Sequence, residues 1–81
     1  MAFYVLILKE SEDPDTVTYR FGPSESEMGR LRINKLDGRV EELEAPPGDP
    51  AMASHIFQRA TWRLLKHFAT GEFPDRTVWA S

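Results

Sequence analysis

The stretch Thr16-Val17-Thr18-Tyr19-Arg20-Phe21 alternates without a break, with Val17, Tyr19 and Phe21 on one side and Thr18 and Arg20 on the other. A two-residue period of this kind marks a strand with one packed and one wet face, the usual condition of an antiparallel sheet. Upstream, Ala2-Phe3-Tyr4-Val5-Leu6-Ile7-Leu8 is rich in β-branched and aromatic residues and reads as a second strand. Both its faces are apolar, Phe3/Val5/Ile7 on one and Tyr4/Leu6/Leu8 on the other. The polar run between the two strands, Glu10 to Pro14, ends in proline and reads as a turn.

Downstream, Gly22-Pro23-Ser24-Glu25-Ser26 breaks the alternation. It resumes with Leu31 and Ile33 facing away from Arg30, Arg32 and Asn34. Asp37-Gly38 is a hairpin signal, because glycine reaches the positive φ that tight turns need. A weaker strand containing Val40 and Leu43 follows. The expected strands are therefore 2–9, 15–22, 28–35 and 39–44.

Ala45-Pro46-Pro47-Gly48 is a stiff connector that stops the sheet. Asp49-Pro50 then opens a helix: the carboxylate caps free N–H groups, and proline's fixed φ suits the first helical position. Gly71 and Pro74 end it, giving a helix over 50–70 with Ala53, Ile56, Phe57, Ala60, Leu64 and Phe68 on one face. The tail, 76–80, is a candidate short fifth strand. The order predicts one α+β domain over 1–81: a four-stranded antiparallel meander carrying one long C-terminal helix across the face that holds Val17, Tyr19 and Phe21.

The 81 residues contain no cysteine, which excludes disulfides, thiolate nucleophiles and cysteine metal sites. The first apolar run is too short for a membrane span and has no basic residues before it, so a soluble cytoplasmic protein with no membrane contact is expected. Ten basic and thirteen acidic side chains leave a net charge of −3. The distribution is uneven. Residues 1–49 hold six basic and eleven acidic groups, net −5, whereas residues 50–81 hold four and two, net +2.

Catalytic constellations are hard to assemble. His55 and His67 are separated by more than about 100° around the helix and cannot share a metal ion. No glycine-rich phosphate loop or nucleophile elbow occurs. The carboxylates at Glu10/Glu12/Asp13/Asp15 and Glu41/Glu42/Glu44 read as solvated charge on turns and a sheet edge. The expectation is a protein that is not an enzyme and holds no cofactor.

Three surfaces remain as candidates. Tyr4, Leu6 and Leu8 require cover, from the tail or from a second copy of the chain. Trp62 lies opposite the packed helix face among His55, Arg59 and Lys66, with Phe73 or Trp79 as a neighbour that could fold back on it. Arg20, Arg30 and Arg32 share the outer sheet face and form a weak candidate for anion contact, against pairing with Glu41 or a neighbour. The functional expectation is protein–protein contact, as a homodimer or an accessory subunit. The alternative is a nucleic-acid-binding module using Arg59, Trp62, Arg63 and Lys66, a reading opposed by the acidic total charge.

Overall fold

A computed structural model describes residues 4–80. The elements are β1 (Tyr4–Glu12), β2 (Thr16–Gly22), β3 (Gly29–Asn34), β4 (Val40–Glu44), α1 (Pro50–Thr70) and β5 (Arg76–Ala80). All five strands form one antiparallel sheet in the order β4-β3-β2-β1-β5, and α1 packs on one face of it. The tail is thus a fifth strand, paired with β1 at the end of the sheet opposite β4. The faces of Ala2 and Phe3, assigned to the first strand by sequence, lie outside the described residues.

The register puts Val5 and Ile7 of β1, Val17, Tyr19 and Phe21 of β2, and Leu31 and Ile33 of β3 on the helix side, all fully buried. Ile56, Ala60 and Leu64 of α1 complete this core. The β2 alternation therefore selects the face on which the helix lands, because shifting it by one residue would put three large apolar side chains in water.

The caps of α1 follow the sequence logic. The Asp49 carboxylate accepts from the Ala51 N–H at 3.4 Å. Gly71, at φ 78°, donates its N–H to the carbonyls of His67 and Phe68 at 2.9 and 3.1 Å.

Several strand boundaries depart from the sequence reading, the end of β1 by the most. β1 continues to Glu12, through residues expected to turn, by means of a bulge between Lys9 and Ser11. Lys9 and Lys35 both grip the Glu12 carboxylate at 2.5 Å, which holds this polar extension in place. The chain reverses immediately afterwards, where Asp13 accepts the N–H groups of Asp15 and Thr16 at 2.8 and 2.7 Å. Those backbone donors hold the Asp13 carboxyl below its ordinary range. The β3–β4 connection is wider than a two-residue hairpin. β3 stops at Asn34, whose side-chain oxygen accepts from Leu36 and Asp37, and β4 starts at Val40, after Gly38 has turned the chain at φ 75°.

The expected apolar patch on the outer side of β1 is also much smaller than the sequence suggests. Leu6 is 4% exposed, Leu8 is half-buried, and only Tyr4 remains open at 41%. Leu6 sits opposite Gly22, and a Cβ on Gly22 would collide with the backbone of Glu27 and Met28. The loop after β2 therefore folds back over this part of the outer face. The tail extends the sheet sideways and sets Val78 beside Leu6 on this face.

Candidate functional site

The candidate residues from the sequence divide between the two faces of the sheet. Pairing of Val5 with Trp79 and of Ile7 with Thr77 puts Trp79 and Thr77 on the helix side, whereas Tyr4, Leu6 and Leu8 point outward. Trp79 therefore joins the helix residues and not the outer apolar side chains.

The helix-side group is built by α1 lying against β5, the two running antiparallel. His55, Arg59, Trp62 and Lys66 follow at spacings of four, three and four residues, which places them on one helical stripe. The stripe borders β5. The Arg59 guanidinium carbon lies 4.6 Å from the Trp62 ring centroid and 5.2 Å from that of Trp79, so one cation bridges two indoles. Cations over aromatic faces gain from the ring quadrupole, most strongly with tryptophan. Arg59 Nη1 donates to Gln58 Oε1 at 3.2 Å, while its Nε is buried without a hydrogen-bond acceptor. Trp62 remains 48% exposed.

One helical turn on, the Thr77 hydroxyl is the buried hub of a polar trio. Arg63 Nε donates to Thr77 Oγ1 at 3.0 Å, and His67 Nε2 lies 3.1 Å from the same oxygen. Burial, with the Arg63 charge as a second cause, holds the His67 imidazole below its ordinary value. The neutral ring can then accept from the threonine hydroxyl while that hydroxyl accepts from arginine. Thr77 was not singled out in the sequence. Its only local signal is the polar position it takes in the tail's alternation with Val78 and Trp79.

Outside this trio, a cleft of about 350 Å³ opens along the sheet end, lined by Trp62, Arg63, Lys66, Val78, Trp79 and Ala80. Arg63 and Lys66 give it cationic walls, and no acidic residue occurs in α1 to offset them. His55 is exposed on the same stripe, one turn before Arg59.

The arginines of the outer face are drawn into internal pairs. Arg30 binds Glu10 through Nε at 3.0 Å and Nη2 at 2.6 Å, and Arg32 Nη2 meets Glu41 at 2.7 Å. Arg20 is directly opposite Arg30 and is exposed. Two of the three candidate anion contacts are thus already occupied by carboxylates of the chain itself.

Among the described residues, no group of three His, Cys, Asp or Glu side chains is placed to hold a metal ion. No helix among the described residues is long and apolar enough to cross a membrane. Comparison with protein-family models, with curated proteins and with solved structures gives no match.

Proposed function

We propose that this chain works through protein–protein contact, as a homodimer or as an accessory subunit, with the α1–β5 flank as its contact surface. The observation carrying the proposal is the arrangement of Arg59 between Trp62 and Trp79 beside the last strand of the sheet. Tryptophan and arginine are enriched among the residues that dominate interface energetics, tryptophan because it buries much area at small conformational cost. A half-exposed Trp62 held upright by a stacked cation is already in the conformation that a partner would need. A non-catalytic role and a cytoplasmic location belong to the same proposal.

The test is native mass spectrometry of the chain isolated from its source cells, beside a Trp62→Glu variant isolated in the same way. The expected result is a complex of the 9.3 kDa chain with a further polypeptide, identical or different, that is lost in the variant. A lone chain in both preparations, or a complex indifferent to Trp62→Glu, would overturn the reading.

Nucleic-acid binding by the same stripe is less well supported. Arg59 is committed to the two indoles and Arg63 Nε to Thr77. Phosphate contact would then fall to Lys66 and the remaining guanidinium N–H groups of Arg63, on a chain whose net charge is −3.

A further inference from the structure

The two ends of the sheet are built differently. β4 is acidic, with Glu41, Glu42 and Glu44, and its pairing with β3 is broken by an irregularity between Arg30 and Leu31. Charge and bulges are the devices by which an edge strand repels further strands. β5, Arg-Thr-Val-Trp-Ala, has no bulge: it pairs with β1 in unbroken register over five residues, and its one charge is Arg76 at its start. Its composition is that of a strand suited to pairing. On its far side it has no neighbouring strand among the described residues.

Resting on the contact reading above, we infer that β5 is a strand-addition site, and that its occupant is an extended acidic segment of a different protein. Strand addition uses main-chain hydrogen bonds for affinity and flanking pockets for specificity. Here the cleft between Trp62 and Val78 takes an apolar side chain of the added strand. The acidic character of the occupant follows from the rim. Lys66 and Arg63 line the cleft from α1, and α1 holds no carboxylate. A second copy pairing β5 to β5 about a two-fold axis would bring two such rims together. Like charges across an interface are a recognised means of excluding a partner. Glutamates alternating with apolar residues reverse that repulsion.

The test uses a capped seven-residue peptide alternating glutamate with valine and leucine. Two controls go with it: the same peptide with lysine for glutamate, and one with proline at its centre. Tryptophan fluorescence and amide exchange by NMR are followed on the intact chain. The expected result is saturable binding of the glutamate peptide that slows exchange of amides within 76–80. Lys66→Glu should weaken this binding about tenfold, and the central proline should abolish it, because it removes a ladder donor. Absence of saturable binding overturns the inference, as does equal binding of the lysine peptide or binding that leaves the β5 amides unprotected. A single-stranded oligonucleotide that binds tighter than the peptide overturns it too. If instead the free chain doubles in mass with the same amides protected, the occupant is a second copy. The acidic-segment inference then falls while the contact reading stands.

Discussion

The phenolic oxygen of Tyr19, in the middle of β2, donates a 2.7 Å hydrogen bond to the carbonyl of Pro74, fifty-five residues later in the chain. This bond and that from the Lys9 N–H to the Asp75 carbonyl, at 2.8 Å, fasten the turn between α1 and β5 to the sheet. The contact surface proposed for β5 therefore depends on a tie made by a core residue of β2.

Tyr19→Phe keeps the ring and leaves the Pro74 carbonyl without its donor. The expected loss is about 1–2 kcal/mol of unfolding free energy in urea. Burial, followed by the charges of Glu12 and Asp75, raises the Tyr19 hydroxyl well above its ordinary value of 10. Because the folded state favours the neutral phenol, its stability is complete below pH 10 and falls as pH rises beyond it. Urea midpoints measured from pH 9 to 11 should decline in the wild type and decline less in Tyr19→Phe. Equal slopes would show that Tyr19 is not the group responsible.

His67 gives the opposite pH dependence. Its imidazole is lowered below the ordinary 6.5 by burial and by Arg63, with Glu72 pulling weakly the other way. The unfolded chain thus binds a proton before the folded one does. Stability contributed by neutral His67 is complete above pH 6.5 and is lost as pH falls through and below that value. Urea midpoints at pH 7.5 and 5.5 should differ in the wild type by more than in His67→Gln. The window lies above the ordinary carboxylate range, so Glu12 and Asp13, whose carboxyls are held low, do not confound it.

Two glycines separate backbone strain from packing. Both Gly38 and Gly71 have positive φ, at 75° and 78°. A Cβ on Gly71 would meet open space, whereas one on Gly38 would lie 2.9 Å from the Phe68 ring. Gly71→Ala should cost about 1 kcal/mol, the conformational term alone. Gly38→Ala should cost about 2–4 kcal/mol, because the ring must also move. Equal losses by urea titration would mean that Phe68 yields freely.

These comparisons show which parts of the molecule were legible in the chain. Local pattern was sufficient for the period of Val17/Tyr19/Phe21, and for Asp49-Pro50 and Gly71 as helix ends, because each signal lies within a few residues of its effect. The bulge after Lys9 was not legible, since the strand is prolonged by Lys35 gripping Glu12 from more than twenty residues away. Leu6 was misread for a similar reason. It is flanked by Val78 on β5 and by Gly22 on β2, and the missing side chain of Gly22 lets the loop at Glu27 approach. In the site, the stripe of Arg59, Trp62 and Lys66 could be drawn from helical spacing. That Trp79 would share it depended on β5 pairing with Val5 in this register and no other.

The Arg59 bridge offers the most direct check on that site. Trp62 is nearly half exposed, so Trp62→Ala should lower stability by about 1 kcal/mol or less. Arg59→Ala removes contacts with two indoles and should cost about 1–2 kcal/mol. If the cation is shared, the double variant should be less destabilised than the two single losses added together, by about 0.5–1 kcal/mol, because Trp62 loses its cation in either background. Emission spectra give an independent readout. Arg59→Ala should shift the fluorescence of both Trp62 and Trp79, and in a Trp79→Phe background the remaining shift reports Trp62 alone. Strict additivity of the two losses together with unchanged emission would mean that the guanidinium does not stack in solution. The cleft beside β5 would then lack the rigid wall that makes it a contact surface.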